Sequence, residues 1–209
     1  RDYVNYNIFS RLDAPAGESL LKIIDPYRYR ALLTLPKLLV NSTGDQYIPP
    51  DSSQFFIDEI GGPNYLHYMA NADYSELEAA DLEEDTLEAI GAFYLAQVDG
   101  VDMPTMTATY DPATTQITVV PDQEPRSVTL WYASAPQHRD FRLQTLGPKW
   151  ASRTIAPAPD GSYTATIGVP ASGWNAGFME LRMTGPISDI DHILTTRVWI
   201  TPEEYGETP

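Results

Sequence analysis

The chain has 209 residues and carries 29 acidic against 13 basic side chains, a formal charge of -16 at neutral pH. This acidity argues against nucleic acid or anionic lipid as a partner, because both require a basic surface. The absence of cysteine excludes disulfides, zinc-thiolate sites and thiol nucleophiles.

No apolar run approaches the roughly 20 residues that a membrane-spanning helix requires, and no signal-peptide pattern opens the sequence. The chain starts at Arg1-Asp-Tyr without methionine. We therefore expect a fragment or a processed chain.

The first hundred residues predict helices that alternate with two strands. Asp25-Pro26 is a helix N-cap followed by proline at the first helical position, and predicts a helix through residue 32. Residues 37–41 form a nearly continuous apolar run, as expected of a buried parallel strand. Asp51 can cap a helix over residues 52–60, and residues 65–69 predict the next strand. Polar residues follow both strands, at the edge where open α/β sheets place functional side chains.

A further helix is predicted before residue 100. Leu87, Ile90, Tyr94 and Val98 recur at helical spacing, and Asp99-Gly100 ends the pattern. We place a domain boundary just after it, within residues 101–104.

Beyond residue 104, β-rich segments are separated by turn signals such as Asp111-Pro112 and Asp160-Gly161. The predicted strands are residues 106–110, 116–120, 127–133, 141–146, 151–155, 162–169, 176–183 and 194–201. Seven or eight short strands in about 100 residues favour a β-sandwich of immunoglobulin or fibronectin type. The predicted fold class is therefore α/β followed by all-β, with domains at residues 1–103 and 104–209.

Several segments resemble one protein family. They read Ile24-Asp-Pro-Tyr-Arg-Tyr-Arg, Leu35-Pro-Lys-Leu-Leu-Val-Asn-Ser-Thr-Gly-Asp, Pro50-Asp-Ser-Ser-Gln-Phe and Tyr65-Leu-His-Tyr-Met-Ala-Asn-Ala-Asp. Later segments, Leu130-Trp-Tyr, Arg139-Asp-Phe-Arg and Gly147-Pro-Lys-Trp, fit the C-terminal part of the same family. The sequence resembles the PhoPQ-activated pathogenicity-related proteins over nearly its whole length.

This resemblance implies a main domain similar to an α/β-hydrolase and a secreted, periplasmic or cell-surface location. The chain would be the C-terminal portion, with the last two strands of the hydrolase sheet and an appended sandwich. The N-terminal half of the same protein would then be a partner that completes the sheet. We predict no cofactor and no metal.

The resemblance also places two residues of a catalytic triad. Asp45, after the first predicted strand, matches the acid position, whereas Tyr74 stands where the family pattern has histidine. The Gly-x-Ser-x-Gly motif that carries the nucleophile does not occur in these 209 residues. A phenol, with an ordinary pKa of about 10, is no substitute for imidazole as a base near neutral pH.

The other histidines fit no better. His67 lies seven residues before Tyr74 within a predicted strand, where a packed or hydrogen-bonded role is expected, and His138 and His192 fall in the predicted sandwich.

Two interpretations of these residues remain open. Asp45 is either the triad acid or a loop carboxylate that accepts backbone N–H bonds beside Gly44, and Tyr74 could be a hydrogen-bonding plug in a silent site. The parent protein is accordingly expected to be a serine esterase or peptidase-like hydrolase. The alternative is a catalytically silent pseudoenzyme that serves as an extracellular binding or signalling module.

Acidic segments offer hard oxygen ligands but lack the ordered spacing of a calcium loop. They comprise Asp73, Glu76, Glu78, Asp81, Glu83, Glu84 and Asp85, and separately Asp189 and Asp191 beside His192. We interpret the first group as a solvated lead-in to the following helix.

Overall fold

The computed structural model describes residues 2–75 and 83–203, in a mixed fold with mostly β-sheets and few helices. The helices are α1 (Asp2–Asn5), α2 (Phe9–Leu12), α3 (Pro15–Ile24), α4 (Glu84–Asp99) and α5 (Leu143–Leu146), with 3-10 turns at Pro26–Leu32 and Ser52–Phe55. The chain divides into two compact units. Unit 1 holds residues 1–37 and 55–64, and unit 2 holds residues 38–54 and 65–209.

Unit 1 contains α1 to α3 and the first 3-10 turn. The Asp25 side chain accepts a hydrogen bond from the Tyr27 N–H at 3.0 Å, which confirms the predicted cap, although the turn that follows is 3-10 rather than α. None of its described residues is buried. Large apolar side chains are exposed throughout it, namely Val4, Tyr6, Phe9, Leu20, Ile23, Ile24, Leu32 and Leu35.

Strands β1 (Lys37–Ser42) and β2 (Asn64–Met69) pair in a two-stranded sheet. The Lys37 N–H donates to the Pro63 carbonyl at one end, and the Thr43 N–H donates to the Met69 carbonyl at the other. The two strands therefore run in the same direction, as predicted, and both end at the same edge. Residues 37–41, predicted as a buried strand, are only partly buried.

The rest of unit 2 contains two antiparallel sheets. Their strands are β3 (Met106–Asp111), β4 (Gln116–Pro121), β5 (Ser127–Ala135), β6 (Ala151–Thr154), β7 (Tyr163–Thr166), β8 (Trp174–Ile187), β9 (Ile190–Thr195) and β10 (Trp199–Thr201). One sheet has the order β3-β4-β7; the other has the order β10-β8-β5-β6, with β9 also paired to β8. The long strand β8 pairs with β10 in its first part and with β9 in its second.

The two antiparallel sheets contribute side chains to a common apolar cluster. Alternate positions along the strands point into it, as the period of two requires. Its buried members include Ile117, Val119, Tyr163 and Ala165 of the three-stranded sheet, and Val128, Leu130, Met179, Leu181, Met183 and Trp199 of the five-stranded sheet.

Three predicted elements were wrong in part. Residues 141–146 are not a strand but a loop that leads into the single-turn α5, because short apolar runs do not distinguish strand from helix. The predicted helix over residues 52–60 is only a 3-10 turn at Ser52–Phe55, and the Asp51 carboxylate binds side chains there.

The predicted strand over residues 194–201 is divided between β9 and β10. At that division the Thr196 N–H donates to the Met179 carbonyl and the Thr196 hydroxyl accepts the Met179 N–H.

Helix α4 is present as predicted and ends at Gly100, whose φ of 66° is the left-handed conformation that glycine favours. Its buried side, however, consists of small residues, Thr86, Ala89, Ala92 and Ala96, and it packs on β9. The stripe of Leu87, Ile90, Tyr94 and Val98 is exposed. Within the described ranges, no helix is long and apolar enough to traverse a lipid bilayer.

Candidate functional site

The loop after β1, residues 43–51, holds Asp45 and is called the acid loop below. Asp45 is only 5% exposed. Its Oδ1 accepts the backbone N–H of Tyr47 at 2.6 Å and that of Ile48 at 3.0 Å. This is the turn geometry in which an aspartate side chain fixes its own loop. One carboxylate oxygen is thus anchored by the backbone.

The acid loop is bound to the turn that follows β2, residues 70–75. The Gly44 N–H donates to the Ala72 carbonyl at 2.9 Å, and the Thr43 hydroxyl accepts the Asn71 N–H at 3.0 Å. A Cβ atom at position 44 would lie 2.8 Å from the Ala72 carbonyl oxygen and 2.9 Å from Leu143. Glycine is therefore required beside Asp45 by the close approach of the backbone.

Tyr74 lies directly against the acid loop. Its N–H donates to the Gln46 side-chain oxygen at 3.3 Å, and its ring meets the Tyr47 ring edge-on with centroids 5.3 Å apart. The two residues that follow Asp45 in sequence thus contact Tyr74. The structure thus brings the two candidate residues, Asp45 and Tyr74, close together, one on the acid loop and the other on the segment that follows β2.

Residues 138–149, called the basic loop below, approach the acid loop from the other side. The Leu143 N–H donates to the Gly44 carbonyl at 2.9 Å. Arg139 donates to the Asp51 carboxylate at 2.6 Å, and the two side chains are 13% and 4% exposed. Sequence reasoning missed this contribution. The sequence did contain one indication of this loop, three basic residues close together in a strongly acidic chain: Arg139, Arg142 and Lys149.

Asn71 joins the turn after β2 to the residue that follows the basic loop. Its φ of 62° is left-handed, a conformation that asparagine tolerates better than most residues. Its side chain donates to the Trp150 carbonyl at 3.0 Å and accepts the Trp150 N–H at 2.8 Å. This paired hydrogen bond holds Trp150, which is 5% exposed, at a fixed position beside the site.

A cavity of about 280 Å³ opens between the acid loop and the basic loop. Its lining comprises Asp45, Gln46, Tyr47, Pro49, Pro50, Arg139, Asp140 and Arg142. Within the described part of the chain, the second oxygen of Asp45, Oδ2, accepts no hydrogen bond. One carboxylate oxygen of Asp45 is thus fixed and the other is available, and the described lining of this cavity includes no imidazole.

None of the three histidines lines the cavity that holds Asp45. His67 is 2% exposed and its ring is held at both nitrogens. Nδ1 lies 3.2 Å from the Ile193 carbonyl, which can only accept, so Nδ1 carries the proton and Nε2 accepts the Thr86 hydroxyl at 2.9 Å. His192 is buried on β9, and His138 lines a different cavity.

The buried histidines predict a pH dependence of stability. Burial is the main cause that lowers the pKa of both His67 and His192. The unfolded state therefore binds more protons than the folded state as the pH falls below about 6.5. Above that pH the two neutral histidines do not lower the free energy of unfolding. Below it the free energy of unfolding falls by up to about 1.4 kcal/mol per pH unit for each histidine.

Urea denaturation at pH values from 7.5 to 5 measures this slope. The variant His67→Gln is expected to have a shallower decrease in unfolding free energy than the wild type, whatever its absolute stability. A slope equal to that of the wild type would contradict a neutral, buried His67.

In residues 2–75 and 83–203, no three His, Asp or Glu side chains are grouped so that they could hold a metal ion. Asp73 instead binds Ser75 and Gln144. The segment with Glu76, Glu78 and Asp81 lies outside the described residues.

Comparison with known proteins gives two matches. A family model described as PhoPQ-activated pathogenicity-related protein matches residues 1–142. The chain is also 27% identical over 215 residues to autocrine proliferation repressor protein A of Dictyostelium discoideum. The match covers 94% of this chain but 43% of that protein, so the chain spans less than half the length of this relative.

Proposed function

Because the chain belongs to the PhoPQ-activated pathogenicity-related protein family, we propose that it is the C-terminal portion of an α/β-hydrolase-like protein that acts by binding rather than by hydrolysis. In this proposal β1 and β2 are the last strands of the hydrolase sheet. The two antiparallel sheets form an accessory sandwich of immunoglobulin or fibronectin type. Asp45 occupies the triad-acid position and Tyr74 the position of the histidine.

The observation that carries the proposal is the contact of Tyr74 with the acid loop. A serine hydrolase requires an imidazole that takes the serine proton and is oriented by the acid. Here a phenol packs on Tyr47 beside Asp45, while His67 is held in the core by Ile193 and Thr86. The similar Dictyostelium protein is named an autocrine proliferation repressor, and this name describes signalling rather than catalysis.

A serine esterase or peptidase-like activity is the second candidate. It is favoured by the state of Asp45, whose carboxylate is anchored at one oxygen and lines a cavity at the edge where both strands end. This function would require a nucleophile and a base from residues outside this chain.

Labelling with a fluorophosphonate probe separates the two candidates. The longer protein that contains this chain should be purified and treated with the probe, both native and after heat denaturation. If the protein binds without hydrolysis, no serine should be labelled in the native protein that is not also labelled after denaturation. A native-specific label that is lost in the variant Asp45→Asn would contradict the proposal and support the hydrolase.

The proposal also includes a partner for the exposed apolar surface. Unit 1 has no buried residue among those described, and Ile23, Leu32 and Leu35 are more than 70% exposed. Surfaces of this kind mark an interaction site, and we assign it to the N-terminal half of the same protein. Size-exclusion chromatography tests this assignment, because the isolated chain should self-associate unless that half is present. A stable lone monomer would count against it.

The same proposal places the protein outside the cytoplasm, as the resemblance to secreted and surface-associated proteins implies. Cell fractionation checks the location, and recovery in the cytoplasm alone would contradict it.

A further inference from the structure

The basic loop is a local exception to the charge of the chain. Residues 138–149 contain Arg139, Arg142 and Lys149, three of the 13 basic residues, but Asp140 alone of the 29 acidic residues. In a chain with a net charge of -16, most surfaces repel anions. The basic loop therefore carries an excess of positive charge within a negative molecule.

The basic loop also lines a second cavity, of about 540 Å³, beside the end of β5. Its wall comprises Tyr132, Ala133, Ser134, Ala135, Pro136, Gln137, His138, Asp140, Thr145, Leu146 and Lys149. This volume lies within the range of about 300–1,000 Å³ that is typical of small-molecule sites. Asp140 lines both this cavity and the one that holds Asp45, so the two cavities adjoin.

The three basic side chains of the basic loop differ in their ion pairing. Arg139 is held by Asp51, and Arg142 is held by Asp140. Among the described residues, the Lys149 ammonium makes no ion pair. Lys149 is therefore the positive charge that a ligand in the larger cavity could use.

The remainder of the cavity suits an apolar group. Tyr132 exposes 37% of its surface, and Leu146 is only partly buried. A tyrosine ring offers a large apolar face that loses little conformational entropy when a ligand packs on it. The negative charge of Asp140 in the same wall is matched by Arg142, which donates to both of its oxygens.

We propose that this cavity binds a small amphipathic anion, with its carboxylate or phosphate at Lys149 and its apolar part along Tyr132 and Leu146. The site goes beyond the proposed function, since it does not depend on Asp45 or on the absence of hydrolysis. The β-rich part of the chain would then bind a small molecule at a site separate from the cavity at Asp45.

An NMR titration of the ¹⁵N-labelled longer protein that contains this chain tests the proposal, with phenyl phosphate and 3-phenylpropionate as anions and 3-phenylpropanol as the neutral analogue. Both anions should shift the amide signals of residues 132–149 and bind more tightly than the alcohol. A hydrogen bond to a charged group predicts that Lys149→Gln weakens anion binding about tenfold. It should leave binding of the alcohol unchanged.

The matched control is Lys22→Gln, which makes the same change of charge on the exposed surface of α3. Ser134→Phe adds a ring to the cavity from an exposed strand position and should abolish binding of all three compounds. Equal affinity for the anions and the alcohol would overturn the proposal. The proposal would also be overturned if Lys149→Gln and Lys22→Gln weakened anion binding equally, or if the anions shifted only amide signals of residues outside the cavity.

Discussion

Replacing Arg139 with methionine is expected to lower the free energy of unfolding by about 3–5 kcal/mol. Arg139 and Asp51 are both largely buried, and their shortest N–O distance is 2.6 Å. Removal of the guanidinium leaves the Asp51 carboxylate desolvated with only the Gln54 side chain as a donor among its described contacts. Because Asp51 ends the acid loop, the loss should also loosen the surroundings of Asp45.

The matched control is Arg142→Met, a change at the next arginine of the same loop. The Arg142 side chain is 52% exposed and pairs with Asp140 two residues away, so a loss of no more than about 1 kcal/mol is expected. Urea denaturation followed by tryptophan fluorescence measures both variants, since all four tryptophans lie in unit 2. Equal losses in the two variants would show that the Arg139 pair has no special structural role.

Phe178→Ala should have an effect of similar size, a loss of about 3–5 kcal/mol. Phe178 on β8 is fully buried, with ring centroids 5.6 Å from Tyr68, 5.6 Å from Trp150 and 6.5 Å from Trp131. Its deletion leaves a cavity among three aromatic side chains. Trp150 is also the partner of Asn71, so this variant should disturb the turn after β2 as well.

Val120→Ala is the control for Phe178→Ala, because Val120 is 51% exposed and its truncation should cost no more than about 0.5 kcal/mol. Denaturant unfolding gives the stabilities, and near-ultraviolet circular dichroism reports the aromatic packing. A loss below about 1 kcal/mol for Phe178→Ala would mean that the aromatic cluster collapses to fill the space.

The sequence pointed to Asp45 and Tyr74 only through the resemblance to the family, whereas the two strands that they follow were predicted from local apolar pattern. It could not locate Arg139 in the site. That residue lies 88 positions from Asp51 along the chain, and no periodicity links the two. Contacts between distant loops depend on the packing of whole elements, which a single sequence does not specify.

Helix α4 shows a second limit of pattern reasoning. The large apolar residues Leu87, Tyr94 and Val98 correctly predicted a helix, yet it is the alanine side that is buried. Small side chains let the helix approach β9 closely, and this packing outweighs the hydrophobicity of the other side. Likewise, the apolar spacing of residues 141–146 suits either a strand or a turn of helix. In the structure Leu143–Leu146 is a turn of helix, and the Leu143 N–H donates to the Gly44 carbonyl.

Binding without hydrolysis is tested by the ester turnover of the longer protein, measured for the wild type and for Asp45→Asn over a panel of aryl esters of different acyl length. Binding without hydrolysis predicts that both proteins turn over the panel at the same background rate. Turnover by the wild type that disappears in Asp45→Asn would contradict this mode of action, since Asp45 would then be working as the acid of an active triad.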